Sequence, residues 1–164
     1  MKKLFLIILA ALLLMTTGIT AVFAVNGGGK NFVDENGDPM RRALIWADTR
    51  STAQEKRMLD TVGMKNGYNI TGHRISASYS VSKLLWVKDN QPEIYNKSAK
   101  MLNAKDFVIR RLTGRFVTDY SDACGTNLFD LKGKCWSEEL VNAYGVRRDL
   151  LPEALPSTAV AGGV

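Results

Sequence analysis

Past residue 18, hydrophobic and polar positions switch repeatedly between two rhythms. Ile19–Val25, ITAVFAV, is β-branched and alternates small with large side chains, the pattern of a buried strand. NGGGK then reads as a glycine-rich turn, NFV as a second short strand, and DENGDP as a hairpin turn centred on Asn-Gly. RRALIWADTR reads as a third strand whose apolar heart is Ala43–Trp46. STAQEKRMLDTVGM is helical, with Ser51 or Thr52 in the N-cap position. Lys65–Ser78 is polar and contains glycine, so it reads as a loop.

A second helix begins after Tyr79, with Val81, Leu84, Leu85 and the Lys88 stem along one face. Pro92 breaks it or opens the next turn. Ala99–Leu102 is a short strand, and Asn103 caps a helix through DFVIRRL that Gly114 ends. Phe116–Val117 and Asn127–Leu131 read as strands around a polar turn. Ser137 caps a last helix, EELVNAY, ended by Gly145, and the Pro- and Gly-containing tail LPEALPSTAVAGGV has no pattern. Mixed strands and helices of this size argue for one α/β domain.

The first residues follow different rules. In 1–24, two lysines precede an apolar run, Leu4–Met15, and Val22-Phe23-Ala24 ends it with small-residue cleavage character. By pattern this is a secretory signal peptide, and the run is shorter than the about 20 residues a membrane span needs. A buried helix followed by a buried strand fits the same residues, and cleavage after Ala24 would cut the Ile19–Val25 strand.

Charge narrows the partners. Lysine and arginine total 22 against 16 acidic residues, and two of the lysines sit in the leader. The remaining excess is small and occurs as pairs such as Arg41–Arg42 and Arg110–Arg111, without the clustered stripe of a nucleic-acid surface. One histidine, His73, and two cysteines, Cys124 and Cys135, exclude a multi-His metal site and a disulfide scaffold.

Four segments carry candidate chemistry. AVNGGGKN has the Gly-Lys of a phosphate-binding loop but lacks its leading glycine and its hydroxyl after the lysine, and it runs into a strand where that loop needs a helix. Its glycines still let a ligand approach the backbone, with Gly29 and Lys30 at the edge. In WADTR, Asp48 and Arg50 can clamp polyol hydroxyls or pair with each other. His73 has no designated nucleophile or carboxylate, so it reads as a solvent-facing loop residue. Asp119 and Asp122 can bind a cation or sugar, although capping a turn is the commoner use of such residues.

Taken in order, these segments resemble the N-terminal domain of the FGGY family of carbohydrate kinases, nearest to its xylulokinase-like members. ALIWADTR is similar to the family's W-x-D-x-R segment, and TGHRISASYSVSKLLWVKDNQPEIY to its T-G-…-K-L-x-W-…-P-E helix. The most specific stretch is MLNAKDFVIRRLTGRFVTDYSDACGTNLFD. The resemblance implies a partial actin-like, ribonuclease-H-like α/β domain, with a mixed sheet flanked by helices, over residues 19–164, behind an apolar leader at 1–18. It implies ATP-dependent phosphorylation of a sugar or polyol hydroxyl with Mg2+.

The departures shape the expectation. The family's acidic Gly-Thr phosphate hairpin and its catalytic aspartate have no counterpart here. The Met-His pair that contacts sugar in xylulokinase-like members is replaced by Gly29 and Lys30. Expected substrate-binding residues are therefore Gly29, Lys30, Asp48 and Arg50, with no catalytic and no metal residue in this chain. Neither ATP nor Mg2+ is expected to bind the chain tightly, and the chain alone is expected to be inactive. Its expected partners are a small sugar or polyol and the kinase half it lacks, with no nucleic acid, and a membrane only if the leader is retained. The family implies a cytoplasmic location. The alternative is an exported or membrane-tethered sugar-binding module anchored through residues 1–24.

Overall fold

A computed structural model describes residues 29–163. The leader, the Ile19–Val25 strand and the start of the glycine turn lie outside the described residues. β1 (Asn31–Val33) pairs antiparallel with β2 (Lys100–Leu102), Phe32 opposite Met101. Between these strands run α1 (Thr52–Val62), α2 (Met64–Thr71), α3 (Ser80–Asn90) and α4 (Pro92–Lys97). α5 (Ala104–Thr113) follows β2, then β3 (Val117–Asp119), α6 (Tyr120–Cys124), β4 (Phe129–Asp130), β5 (Cys135–Trp136) and α7 (Glu138–Tyr144). A short 3-10 turn at Arg148–Leu150 leads to β6 (Glu153–Leu155). The α/β class expected from the sequence is what the chain adopts, with both parallel and antiparallel strand pairs.

The core sits where α3 meets the strands. Val81, Leu84, Leu85 and Val87 of α3 are buried with Phe32, Leu44, Met58, Met101, Leu128, Phe129, Trp136 and Leu140. A satellite core of Val33, Leu102 and Phe107 lies beneath α5. Local signals set the helix ends. Asn103 and Asp106 form a reciprocal capping box at α5, and Gly114 closes it in the left-handed conformation, φ 73°. The Ser137 side chain accepts from the Leu140 amide at the start of α7, and Gly145 ends it at φ 62°. Among the described residues no helix is long and apolar enough to cross a membrane.

Four expectations change. Lys65–Ser78 is not all loop, because Met64–Thr71 is helical. Its Gly67 weakens the helix signal, and the Ile75 side chain packs close over it: a Cβ there would lie 2.8 Å from the Ile75 Cδ1 atom, which would have to shift. Ala43–Trp46 is not a strand: only Leu44 pairs, through a single bridge to Lys30, while Ile45 and Trp46 are exposed. The tail is not patternless, since β6 pairs in parallel with β3, Thr118 opposite Ala154. The two segments read as strands around a polar turn find other partners, as β4 pairs with β5. These partners are distant in sequence or lie in segments only two residues long, which local periodicity does not report.

Candidate functional site

The site is built outward from the bridge between Lys30 and Leu44, where Lys30 N donates to Leu44 O at 2.9 Å. Gly29 makes this approach possible: a Cβ on it would lie 2.4 Å from the Leu44 carbonyl oxygen. Gly29→Ala is expected to force the two segments apart and cost about 2 kcal/mol of stability, read by urea denaturation. An unchanged midpoint would show that the approach is not required.

Lys30 reaches away from the bridge to Asn103, its Nζ donating to Oδ1 at 2.8 Å. Burial lowers its pKa, opposed by attraction from Asp122 and Asp106. Asn103 also donates through Nδ2 to the Asp122 carbonyl at 3.4 Å, so the lysine is tethered to the start of α5.

Two residues past Leu44, the Trp46 side chain stands 75% exposed, unusual for so large an apolar group. Asp48 and Arg50 then close on each other. Arg50 Nε donates to both Asp48 oxygens at 2.9 Å, and Nη2 lies 2.8 Å from Oδ2. The Arg50 side chain holds the Asp48 carboxyl below its ordinary pKa, so this aspartate is a weak proton acceptor. The Arg50 guanidinium also lies over the Trp86 ring, 4.8 Å from its centre.

Behind this rim is Lys83, a lysine with no exposed surface. Its Nζ donates to the backbone carbonyls of Asp48 at 2.9 Å and Ala77 at 2.5 Å. Ser51 and Ser82 hydroxyls donate to the same Ala77 oxygen, so Ser51 is used there and not as the side-chain cap of α1. Burial pushes the Lys83 pKa down to about 8, with Asp48 opposing the shift and Lys30 adding to it. Arg41 completes the row. Its Nε donates to Gln91 Oε1 at 2.7 Å, while its Nη1 is buried with no partner among the described residues.

Beyond Asn103 lies the second polar cluster. Lys105 Nζ sits 2.6 Å from Asp106 and 3.5 Å from both Asp119 and Asp122. Asp119 also caps α6, accepting from the Asp122 amide at 3.0 Å, the capping use expected of it. A hollow of about 100 Å³ opens beside Lys105, Thr118, Asp119 and Ser157, at the carboxyl ends of β3 and β6. An ammonium fills the centre of the carboxylates, and among the described residues no group of three or more ligands could hold a metal ion. His73 is half-buried, its ring 5.5 Å from that of Tyr79.

The structure thus gathers Gly29, Lys30, Asp48 and Arg50 around the Leu44 bridge and adds four residues that sequence reasoning did not select. Trp46 was legible as a large aromatic inside WADTR, but its exposure was not. Lys83 and Arg41 carried no pattern that separated them from surface polar residues, and Asn103 was legible as the cap of α5 but not as the partner of Lys30.

Comparison with known proteins identifies the family. Residues 16–164 match the FGGY family of carbohydrate kinases, N-terminal domain. The chain belongs to the FGGY family of carbohydrate kinases. It is 35% identical over 132 residues to the xylulose kinase of Lactococcus lactis, covering 80% of this chain and 26% of that protein. The gluconokinase of Bacillus licheniformis is 31% identical over 128 residues, covering 78% of this chain and 25% of that one. The crystal structure of gluconate kinase from Lactobacillus acidophilus superposes with a TM-score of 0.74 at 25% identity, over 82% of this chain and 27% of that one. The chain spans about a quarter of the length of these FGGY relatives.

Proposed function

We propose that residues 19–164 form the acceptor-binding wall of an FGGY kinase that moves the γ-phosphoryl group of ATP to a hydroxyl of a sugar or polyol, with residues 1–18 standing apart from that domain. The observation that supports this reading is the exposed Trp46 indole, two residues past the Leu44 that bridges Lys30 and two residues before the Asp48 that pairs with Arg50. An indole face covers the C–H side of a polyol, while fixed cations and amide groups satisfy its hydroxyls. Relatives named for xylulose and for gluconate match the chain to similar degrees, which supports a hydroxylated sugar-type acceptor without choosing between the two.

Phosphoryl transfer needs a carboxylate to take the hydroxyl proton and a seat for ATP and Mg2+. The described residues fit neither. Asp48 is held by Arg50 and Asp106 by Lys105, and the glycine turn leads into β1. We therefore assign the base, ATP and Mg2+ to the remainder of a whole enzyme, which acts where ATP is available, in the cytoplasm. The 164-residue chain contributes acceptor binding of millimolar strength at best, without the opposing wall.

Ligand-observed NMR titration of the chain with xylulose, xylitol and gluconate tests this. Binding is expected, with Trp46→Ala weakening it about tenfold, and no ATP consumption should accompany it. Binding of none of the three would remove the acceptor-wall reading, and ATP turnover by the chain alone would contradict the assignment of the base elsewhere.

A further inference from the structure

A buried lysine in the first half of α3 works against folding. Lys83 has no exposed surface, and its ammonium forms no ion pair among the described residues. Taking that charge out of water carries a penalty that two neutral carbonyls offset only in part, and burial pushes its pKa down accordingly. A methionine would fill the same space without the penalty. Stability therefore does not account for a lysine at this position.

Its two acceptors are not equivalent. The Ala77 carbonyl also receives the Ser51 and Ser82 hydroxyls, each at 3.1 Å, so it keeps donors without the lysine. Among the described residues the Asp48 carbonyl receives Lys83 alone, at 2.9 Å. That bond falls in a stretch with few other ties. Leu44 is bridged to Lys30, and the buried Ser51 is held on the Ala77 carbonyl. Between them, residues 45–50 bond to one another: the Asp48 amide donates to the Ile45 carbonyl at 3.1 Å, and Arg50 to the Asp48 carboxylate. Among the described residues, Lys83 to Asp48 is the one hydrogen bond that joins this stretch to another element. The Arg50 guanidinium over Trp86, three residues further along α3, adds a stacking contact to the same helix. Trp46 belongs to this stretch and is 75% exposed, so its place depends on the backbone that carries it.

We propose that Lys83 is a positioning residue for acceptor binding: by holding the Asp48 carbonyl on α3, it sets where the Trp46 indole stands. The proposal rests on the reading of the Trp46 face as the acceptor wall. Without the amine, the Asp48 carbonyl turns toward water for its hydrogen bond, and the indole two residues earlier moves with it. A binding group has to be held to within a fraction of an ångström, and here that precision is set against stability.

Lys83→Met in the whole 164-residue chain, labelled with 5-fluorotryptophan, tests this in three readings. Urea denaturation at pH 7.5 should give a midpoint equal to or above that of wild type, because a buried charge has been removed. The fluorine resonance of Trp46, assigned by its loss in Trp46→Phe, should shift or broaden, while that of Trp136, buried in the core, stays in place. Binding of xylulose, xylitol and gluconate, followed by ligand-observed NMR, should weaken about tenfold for each ligand that wild type binds. A residue that only supported the fold would lower the midpoint and the binding together. That joint loss, an unmoved Trp46 resonance, or binding as tight as in wild type overturns the proposal and leaves the acceptor wall standing. Absence of binding of all three ligands by wild type removes the wall itself, and the proposal with it.

Discussion

Urea denaturation at pH 7.5 and pH 10 is expected to show Lys83 adding about 2 kcal/mol of stability at the higher pH, read as the difference in slope between wild type and Lys83→Met. Lys83 is fully buried, and folding lowers its pKa from 10.5 to about 8. Between those values the unfolded chain binds the proton and the folded chain does not, so stability increases with pH through that window. Below about 8 both states are charged, and the folded state carries the whole desolvation penalty. A neutral amine still donates to the Asp48 and Ala77 carbonyls, so deprotonation relieves the penalty without emptying the contacts. In Lys83→Met that share of the slope should vanish. Lys30 and Lys100, also lowered by burial, add rises of the same sign, whereas Cys124, Tyr95, Tyr144 and Lys105, all raised on folding, pull the other way; both sets are common to the two proteins, so the difference between wild type and variant isolates Lys83. Equal slopes in the two proteins would show that Lys83 is not the titrating group.

Asp106→Ala should lower stability by about 3 kcal/mol, a value characteristic of removing one partner from a buried ionic contact. Asp106 is 1% exposed. Its carboxylate accepts from the Asn103 amide at 3.0 Å and from Lys105 Nζ at 2.6 Å. Alanine leaves that amide without an acceptor and removes half of the capping box of α5. Asp106→Asn keeps a carbonyl oxygen and should recover most of the loss. Asn103 also holds Lys30, so the alanine variant should weaken polyol binding beyond its effect on folding. A loss under about 1 kcal/mol, or equal losses for alanine and asparagine, would contradict this account.

The parts of the fold legible in the sequence are those fixed by short-range chemistry. DENGDP forms its turn because Asp34 Oδ1 accepts from the Asn36 and Asp38 amides at 2.9 Å while Gly37 takes φ 82°. Asn103, Ser137, Gly114 and Gly145 cap the helices that their spacing predicts. The apolar stripe Val81, Leu84 and Leu85 is buried as its period requires. What escaped depends on neighbours distant in sequence. Met64–Thr71 is helical despite Gly67, over which the distant Ile75 packs, and Lys83 is buried because two loops offer it carbonyl oxygens. WADTR was legible as a chemical segment, but its ion pair turns Asp48 and Arg50 toward each other and leaves Trp46 as the open surface.

The parallel partnership of β3 and β6 has a consequence for biosynthesis. Val117–Asp119 waits for Glu153–Leu155, and the Arg115–Glu153 ion pair and the bond from Arg115 Nη1 to the Ala161 carbonyl come equally late. On the ribosome, β3 therefore emerges with an open hydrogen-bonding edge that no earlier residue of this pair can cover. Slow elongation across residues 120–152 would prolong that exposure.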